Sequence, residues 1–347
     1  MKKKNLSIVS LLIAIMMAMT LLVGCGGDTT TTNETAVEAE TAEETEIEQT
    51  LEGVADAFAE SEIVVVMPEA AQGWIAAVLF FAERRGEELV DEGIGGFRVI
   101  TSANVAEQAG QLDELVAQNV DVIVLFPHSD ELDFAAQGFI DAGIPLFVFN
   151  RNVNVYFESR LVGSNQLMAE GNSAILLEEL DGEGIVAYLS IPAVGSTNVE
   201  RVEPFLEIME ANPGIELIEL TTTVFSPEDA LQVTTDALTA NPHIDAFYVL
   251  DDQHAMGVLQ AIQEANRTDI RVITSMGSAQ FILPIILEEE NIDIFTATFS
   301  PMMIIDAIDL AVEYLNGRRD FPELTVIAPE FISRENAEDY IDPTSPW

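Results

Sequence analysis

From Glu62 onward, short apolar runs alternate with longer amphipathic stretches. The apolar runs of the first half are Ile63–Met67, Phe97–Thr101, Val120–Phe126 and Ile144–Phe149. Helix-like stretches separate them, at 72–91, 104–118 and 130–142. Uninterrupted apolar runs are typical of strands that are buried on both faces. This alternation predicts an α/β fold, with a parallel sheet and crossover helices.

After a less regular passage at 151–163, the same pattern starts again at residue 166. Strands are predicted at 184–190, 215–220, 245–250, 270–275, 294–299 and 324–328. The length suits two Rossmann-like lobes, each near the usual size of a domain. Ligands of open α/β sheets bind beyond the carboxyl ends of the strands, so the residues that follow each strand are the candidates for a site.

The first residues predict export. Lys2–Lys4 precede an apolar segment that ends in Leu22-Val23-Gly24-Cys25. A basic start, an apolar middle and a small residue before the cleavage point are features of a secretory signal. The final four residues resemble a bacterial lipobox, in which the cysteine is lipidated. We expect a signal peptide at 1–24, a lipid anchor on Cys25 and an extracytoplasmic location. The alternative is a transmembrane helix, for which 5–23 is barely long enough.

Residues 25–60 are rich in Thr, Glu and Ala and have almost no bulky apolar side chains before Phe58. Such a segment cannot bury a core, and we expect it to be a solvated tether. Cys25 is the single cysteine of the chain, so an intramolecular disulfide is excluded.

The chain is strongly acidic. It has 60 Asp and Glu residues against 14 Lys and Arg, a formal net charge of −46, and its lysines lie only at 2–4. This field repels nucleic acid and anionic lipid head groups, so neither is an expected partner. Acidity without lysine also resembles proteins from saline habitats, where salt screens the self-repulsion. The alternative is an ordinarily acidic secreted protein.

Several polar and aromatic residues follow the predicted strands of the first half. Trp74, the only tryptophan within the region expected to fold, begins a helix there and is suited to stack on a ligand ring. Arg151, after Asn150, offers a planar fork of donors for hydroxyl groups or a carboxylate, or else pairs with a surface acid. Glu69 and His128 are weaker candidates, because a surface carboxylate and a loop-packing histidine explain them equally well.

The second half has a comparable set. Arg201 is predicted in the first turn of a helix, where a cation is unfavourable and needs a compensating ligand or acid. Phe225 follows the next strand, as a second aromatic wall or as ordinary core. Asp251 follows strand 245–250 and is able to accept hydroxyl hydrogen bonds, while Asp252 is a candidate helix cap.

A set of short motifs resembles one known family. The motifs are Gly143-Ile144-Pro145 before Phe149-Asn150-Arg151, Glu200-Arg201 ahead of Phe205, Ala240-Asn241-Pro242-His243-Ile244-Asp245-Ala246, Asp252-Gln253-His254-Ala255-Met256-Gly257 and Asn266-Arg267-Thr268-Asp269-Ile270. Over about residues 62–330 the chain resembles the type I periplasmic binding proteins. Within them it is most similar to the ribose/galactose-type substrate-binding lipoproteins of ABC sugar importers.

The resemblance implies two lobes that close on a ligand and are joined by three crossings, near Val162–Asn165, Ser300–Met302 and Leu324–Ile327. It implies a first lobe at 61–163 plus 302–324, a second at 164–301 plus 325–333, and a tail at 334–347. The ligand contacts that it implies are Trp74, Asn150, Arg151, Arg201, Phe225 and Asp251. The aromatic pair of this set would sandwich a sugar ring whose hydroxyls bond to the polar groups.

The chain departs from the ribose-binding pattern at four positions that carry polar groups there. Apolar residues stand at Ala71, Phe126, Met276 and Pro301. A ligand hydroxyl that faces such a side chain loses its partner, at a cost on the order of 1–3 kcal/mol. We therefore expect a less polar sugar, a polyol in another pose or a non-sugar ligand. Replacement polarity is expected from Glu69, Gln72 or His128.

The expected function is solute capture for an ABC importer permease, by a monomer without cofactor or metal. A sensory binding protein that presents its ligand to a membrane receptor is the alternative on the same fold. An enzyme is not expected, because the chain has no Gly-x-Ser-x-Gly, His-Glu-x-x-His, P-loop or Gly-x-Gly-x-x-Gly motif.

Overall fold

The computed structural model describes residues 58–70 and 73–347, and Val54–Trp347 form one compact unit. The predicted signal peptide, Cys25 and the tether up to residue 57 lie outside the described residues, as do Ala71 and Gln72. The predicted end of the tether at residue 60 is wrong. Residues 58–60 are helical and Phe58 packs against the core, because this first bulky apolar side chain belongs to the fold.

The first lobe is a parallel sheet with helices on both faces. Its strands are β1 (Glu62–Pro68), β2 (Gly96–Ser102), β3 (Val122–Leu125), β4 (Leu146–Phe149), β5 (Ser159–Gly163) and β11 (Leu324–Ile327). Its helices are α1 (Gly73–Glu92), α2 (Val105–Gln118), α3 (Asp133–Ala142) and α9 (Met303–Leu315). Among the described residues the strand order is β11-β5-β4-β3-β1-β2.

The second lobe repeats this plan. Its strands are β6 (Gly184–Ser190), β7 (Ile215–Thr221), β8 (Ala246–Tyr248), β9 (Val272–Gly277), β10 (Asp293–Thr298) and β12 (Phe331–Ile332). Its helices are α4 (Asn165–Glu179), α5 (Ser196–Glu210), α6 (Pro227–Ala240), α7 (Asp252–Glu264) and α8 (Leu283–Glu288). The described strands lie in the order β12-β10-β9-β8-β6-β7, and β12 alone of these runs antiparallel to its neighbour.

The predicted α/β fold with two parallel sheets is confirmed, with corrections at its joints. β5 and β12 are missing from the predicted strands. The predicted third crossing at Leu324–Ile327 is wrong, since those residues form β11 and pair with β5 of the first sheet. The chain passes to the second sheet after Ile327 and before Phe331. Residues 334–347 pack on the fold as well, with Ala337 and Trp347 buried.

Strand β1 shows why its sequence is apolar throughout. Ile63, Val65 and Met67 belong to one hydrophobic cluster, whereas Val64 and Val66 belong to another. Successive side chains of a strand point to opposite faces, so both faces of this strand are covered. Burial on both sides is what the parallel arrangement requires.

Helix starts are fixed by short polar side chains. Asn104, Ser164, Ser226 and Asp251 precede α2, α4, α6 and α7, and each side chain accepts a hydrogen bond from a backbone N–H three residues later. Such caps satisfy amide groups that a helix leaves unpaired at its first turn. None of the described helices combines the length and apolarity needed to span a bilayer.

Helices α6 and α7 pack so closely that one contact position must be glycine. A Cβ atom on Gly257 would lie 2.1 Å from the carbonyl oxygen of Pro227 and 2.8 Å from the amide nitrogen of Leu231. Both obstacles are backbone atoms, which cannot turn away as a side chain does. Gly257 therefore sets the distance between the two helices.

We expect Gly257→Ala to lower the free energy of unfolding by about 1–3 kcal/mol, the usual cost of overpacking. The matched control is Gly110→Ala on the exposed face of α2, where an added Cβ meets nothing within 4 Å. That change should raise stability by about 0.5–1 kcal/mol, because alanine loses less conformational entropy than glycine on folding. Urea unfolding of both variants measures the difference, and equal effects of the two changes would contradict this account of the helix packing.

Candidate functional site

The carboxyl ends of the first lobe's strands carry a cluster of aromatic rings. Trp74, at the start of α1, stacks on Phe149 with ring centroids 6.2 Å apart and an angle of 7° between the planes. Phe126 meets both rings edge-on, at 6.0 Å from Trp74 and 5.5 Å from Phe149. Trp74 and Phe126 were predicted at the site, whereas Phe149 had been assigned only to a strand. The cluster gives this lobe an apolar wall with a partly exposed indole.

Arg151 lies beside this wall. Its guanidinium carbon is 5.6 Å from the centroid of the Phe126 ring, and Nη1 donates a hydrogen bond of 2.6 Å to the carbonyl of His128. The preceding residue, Asn150, adopts a left-handed conformation with φ of 62°. Its carbonyl accepts hydrogen bonds from both Nε and Nη2 of Arg160 on β5, at 3.1 and 2.7 Å. Arg160 thus holds the turn that presents Arg151.

In the second lobe, Arg201 is buried with only 7 % of its surface exposed. Nε donates to Oδ1 of Asn165 at 2.8 Å, and Nη1 donates to the carbonyl of Leu250, two residues after β8. Nη2 has no hydrogen-bond partner among the described residues. Helix α5 begins at Ser196, so Arg201 lies in its second turn and not in the first as predicted. Burial lowers the pKa of the guanidinium.

Asp251 and Phe225 lie next to this arginine. Asp251 is 7 % exposed and caps α7 by accepting a 2.9 Å hydrogen bond from the amide of His254. Burial raises its pKa to about 6, and the nearby charge of Arg201 opposes that shift. Phe225 packs 5.6 Å from the His254 ring and lies 6.0 Å below the guanidinium of Arg201. Asp251 therefore takes the capping role that the sequence suggests for Asp252.

Phe299 connects the two groups of residues. It follows β10 directly, and its ring lies 5.3 Å from Trp74 and 5.5 Å from the guanidinium of Arg201. Its carbonyl accepts a 2.7 Å hydrogen bond from Nε1 of Trp74. The ring fits because Gly163 has no side chain, since a Cβ atom there would lie 2.6 Å from it. Phe299 was missed, because the predicted strand 294–299 included it, whereas the strand ends at Thr298.

The remaining predicted residues take less direct parts, and His128 meets the site through its carbonyl, which accepts the hydrogen bond from Arg151. Glu69 is exposed after β1. His128 is held within the first lobe, where Nε2 lies 2.8 Å from the carbonyl of Ser102. Met276 is fully buried in the main hydrophobic cluster, and Pro301 is buried at the second crossing. Met276 shares this cluster with Phe126, Phe149 and Phe299. No hydrogen bond or ion pair of the described residues joins Glu69 to Arg201, and the roles of Glu69 and Met276 stay predictions.

Asp252 is buried completely behind the site. Its Oδ1 accepts hydrogen bonds from Ser275 Oγ at 2.5 Å and Thr296 Oγ1 at 2.7 Å, and Oδ2 accepts one from the amide of Ala279 at 2.7 Å. Burial raises its pKa to about 7 despite these donors. The carboxyl group ties the ends of β9 and β10 to the start of α7.

The sequence of this chain matches a known protein family. Residues 63–319 match the family described as periplasmic binding protein domain. The chain belongs to this family. The type I fold of these binding proteins, which the motifs predicted, is confirmed by the sheet topology and by the similarity to solved structures.

The chain is similar to two curated proteins in sequence and to a solved structure in fold. The xylitol-binding protein of Mycolicibacterium smegmatis is 26% identical over 186 residues, which cover 50% of this chain and 52% of that protein. The ribose import binding protein of Bacillus subtilis is 24% identical, covering 65% and 72%. A solute binding protein of Actinobacillus succinogenes, solved with bound D-allose, has a TM-score of 0.71 at 20% identity, covering 81% and 100%. The chain thus spans only about half of the xylitol-binding relative.

We expect Asp252→Asn to change how stability depends on pH. The folded-state pKa near 7 lies above the value of about 3.9 in an unfolded chain, so the folded state keeps its proton longer. As pH rises from about 4 to about 7, the free energy of unfolding of the wild type should fall by up to about 1 kcal/mol per pH unit relative to that of Asp252→Asn. Urea unfolding across this range measures the difference. Asp113→Asn, on the exposed face of α2, controls for the change in net charge. A difference that stays constant with pH would contradict the assignment.

Proposed function

We propose that this periplasmic binding protein captures a small polyhydroxylated ligand, a sugar or polyol, and delivers it to an ABC importer. The observation that carries the proposal is the buried guanidinium of Arg201. Its central carbon lies 6.0 Å from the centroid of the Phe225 ring and 5.5 Å from that of Phe299, and none of the described residues accepts a hydrogen bond from Nη2. An unpaired guanidinium donor beside aromatic rings is suited to a ligand hydroxyl whose ring carbons cover the apolar faces.

The relatives support the class of ligand. Their names specify xylitol and ribose, and a structure of similar fold holds D-allose, all of which are polyhydroxylated and uncharged. The acidic surface of this chain agrees with a neutral ligand, because it repels anions. Among the proposed contacts, Trp74 and Phe225 supply aromatic surface. Asn150, Arg151, Arg201 and Asp251 supply polar groups.

The aromatic wall narrows the range of ligands that would fit the site. Phe126 stands where ribose binders carry a polar group, and it is 1% exposed beneath Trp74 and Arg151. A hydroxyl directed at this wall would be buried without a partner. We therefore favour a deoxy, methylated or otherwise less polar sugar over ribose itself.

The mechanism of capture is a shift between two arrangements of the lobes. A ligand that bonds to Arg151 in the first lobe and to Arg201 in the second gains both sets of contacts only when the lobes are close together. Its binding free energy then favours the closed arrangement, which is the form presented to the permease. This role needs no catalysis. A lipid on Cys25 would keep the protein at the outer face of the cytoplasmic membrane.

We expect a protein comprising residues 54–347 to be stabilised by one class of neutral carbohydrate. Thermal unfolding would be recorded with pentoses, hexoses, deoxy sugars, polyols and nucleosides at high salt. A ligand at a thousand times its Kd adds about 4 kcal/mol to the free energy of unfolding, which shifts the transition clearly. Cooperative unfolding with no shift across the whole panel would contradict the proposal.

We expect Arg151→Ala to weaken binding of that ligand by about tenfold or more, since a lost hydrogen bond to a charged group costs about 1.5–3 kcal/mol. Arg318→Ala is the matched control, because it removes a half-exposed arginine of the same lobe that pairs with Glu313. Isothermal titration calorimetry compares the two variants at equal salt. Equal affinity of Arg151→Ala and wild type would place the site elsewhere.

A further inference from the structure

The segment after β12 brings a second tryptophan to the site. The sequence suggests a tail at 334–347 and a single tryptophan, Trp74, within the fold. In the structure Trp347 is only 8% exposed, and it forms an apolar cluster with Ala77, Ala279 and Trp74. We call these four residues the interlobe cluster, because Ala77 and Trp74 lie on α1 of the first lobe and Ala279 follows β9 of the second.

The second lobe holds this segment by hydrogen bonds. Gln280 donates from Nε2 to the carbonyl of Tyr340 at 3.0 Å and accepts from the amide of Asp342 at 2.7 Å. Trp347 donates from Nε1 to the carbonyl of Gly277 at 3.2 Å. Phe281 meets the indole edge-on at 6.1 Å. The segment is thus an extension of the second lobe.

The opposite side of the segment faces the first lobe. Besides the interlobe cluster, Asp342 is within electrostatic reach of Arg84 on α1. Hydrogen bonds from Thr344 lower the pKa of Asp342, and the charge of Arg84 adds to that effect. An open cavity of about 1060 Å³ lies next to the indole, and its wall includes Gly73 of the first lobe and Phe225 and Gln253 of the second. Trp347 therefore stands where the lobes meet, packed with Trp74 and lining the same cavity as Phe225.

Indole burial at this place favours the closed arrangement of the lobes. A tryptophan contributes a large apolar surface, and its removal from water is favourable in proportion to that area. Separation of the lobes would take Ala77 and Trp74 away from Trp347 and expose this surface. The hydrogen bonds to Gln280 and Gly277 would keep the segment on the second lobe, so the contact with α1 is the one that breaks.

We propose that Trp347 is a further residue of the binding site, which joins the lobes beside Trp74 and raises the affinity for the ligand. This proposal rests on the proposed function for its effect on affinity. Its effect on the lobes is independent of any ligand. A larger fraction of closed protein before binding raises the apparent affinity in the same proportion, because less of the binding free energy is used to close the lobes.

The test uses the protein of residues 54–347 with Trp347→Ala, Trp347→Phe and Ile341→Ala. Ile341 is the matched control, being an apolar residue of the same segment that is 42% exposed. Small-angle X-ray scattering without ligand should give a larger radius of gyration for Trp347→Ala, and the wild-type value for Ile341→Ala. Trp347→Phe keeps an aromatic ring and should lie between them. Circular dichroism verifies that each variant is folded.

Calorimetry with the carbohydrate identified by thermal unfolding gives the second measurement. We expect Trp347→Ala to raise Kd about tenfold, equivalent to about 1.4 kcal/mol, and Ile341→Ala to leave it unchanged. A wild-type radius of gyration in Trp347→Ala would overturn the interlobe role, and an unchanged Kd would overturn the role in affinity. If no carbohydrate binds the wild type, the proposed function fails, while the scattering result still decides whether Trp347 joins the lobes.

Discussion

The buried guanidinium of Arg201 is the interaction on which the site depends. Removal of a cation from water is costly unless polar groups surround it, and here Asn165 and the carbonyl of Leu250 accept two of its hydrogen bonds. Asn165 begins α4 just after the first crossing, and Phe299, which packs on the guanidinium, stands just before the second. One charged group thus touches the ends of two segments that cross between the lobes, so a ligand bonded to it, as proposed, would act directly on the hinge.

The two lobes contribute different chemistry to this site. The first lobe offers mainly ring surface, with Trp74 stacked on Phe149 and Phe126 at their edges. The second lobe offers two buried polar groups, the carboxyl of Asp251 and the guanidinium of Arg201. Polar contacts reject a wrong partner more strongly than apolar ones. With the proposed sugar or polyol as ligand, the second lobe would recognise hydroxyl positions and the first would select for the absence of some of them.

Much of the fold was predictable because its signals are local. The apolar run of β1 and the helix pattern of α1 are visible without any knowledge of the partner elements. β5 was missed, because its short sequence Ser159–Gly163 is interrupted by the charged residue Arg160. Arg160 fits there because it bonds to the carbonyl of Asn150 after the neighbouring strand, a contact that the local sequence does not reveal. β12 has only two residues and becomes a strand only by pairing with β10. Phe299 and Trp347 were missed at the site for the same reason, since only the packing of distant segments brings them to Trp74.

The pairing of β11 with β5 has a consequence for how the chain folds. In the first sheet, β5 (Ser159–Gly163) has its outer neighbour only when β11 (Leu324–Ile327) pairs with it. Most of the second lobe lies between these strands in sequence, so it must be synthesised before the first lobe is complete. Contacts between residues so far apart in sequence slow folding, because the chain entropy of closing a long loop is lost before the contact is gained. The first lobe therefore stays incompletely folded until Leu324–Ile327 is available, which would suit the export as an extended chain that the predicted signal peptide implies.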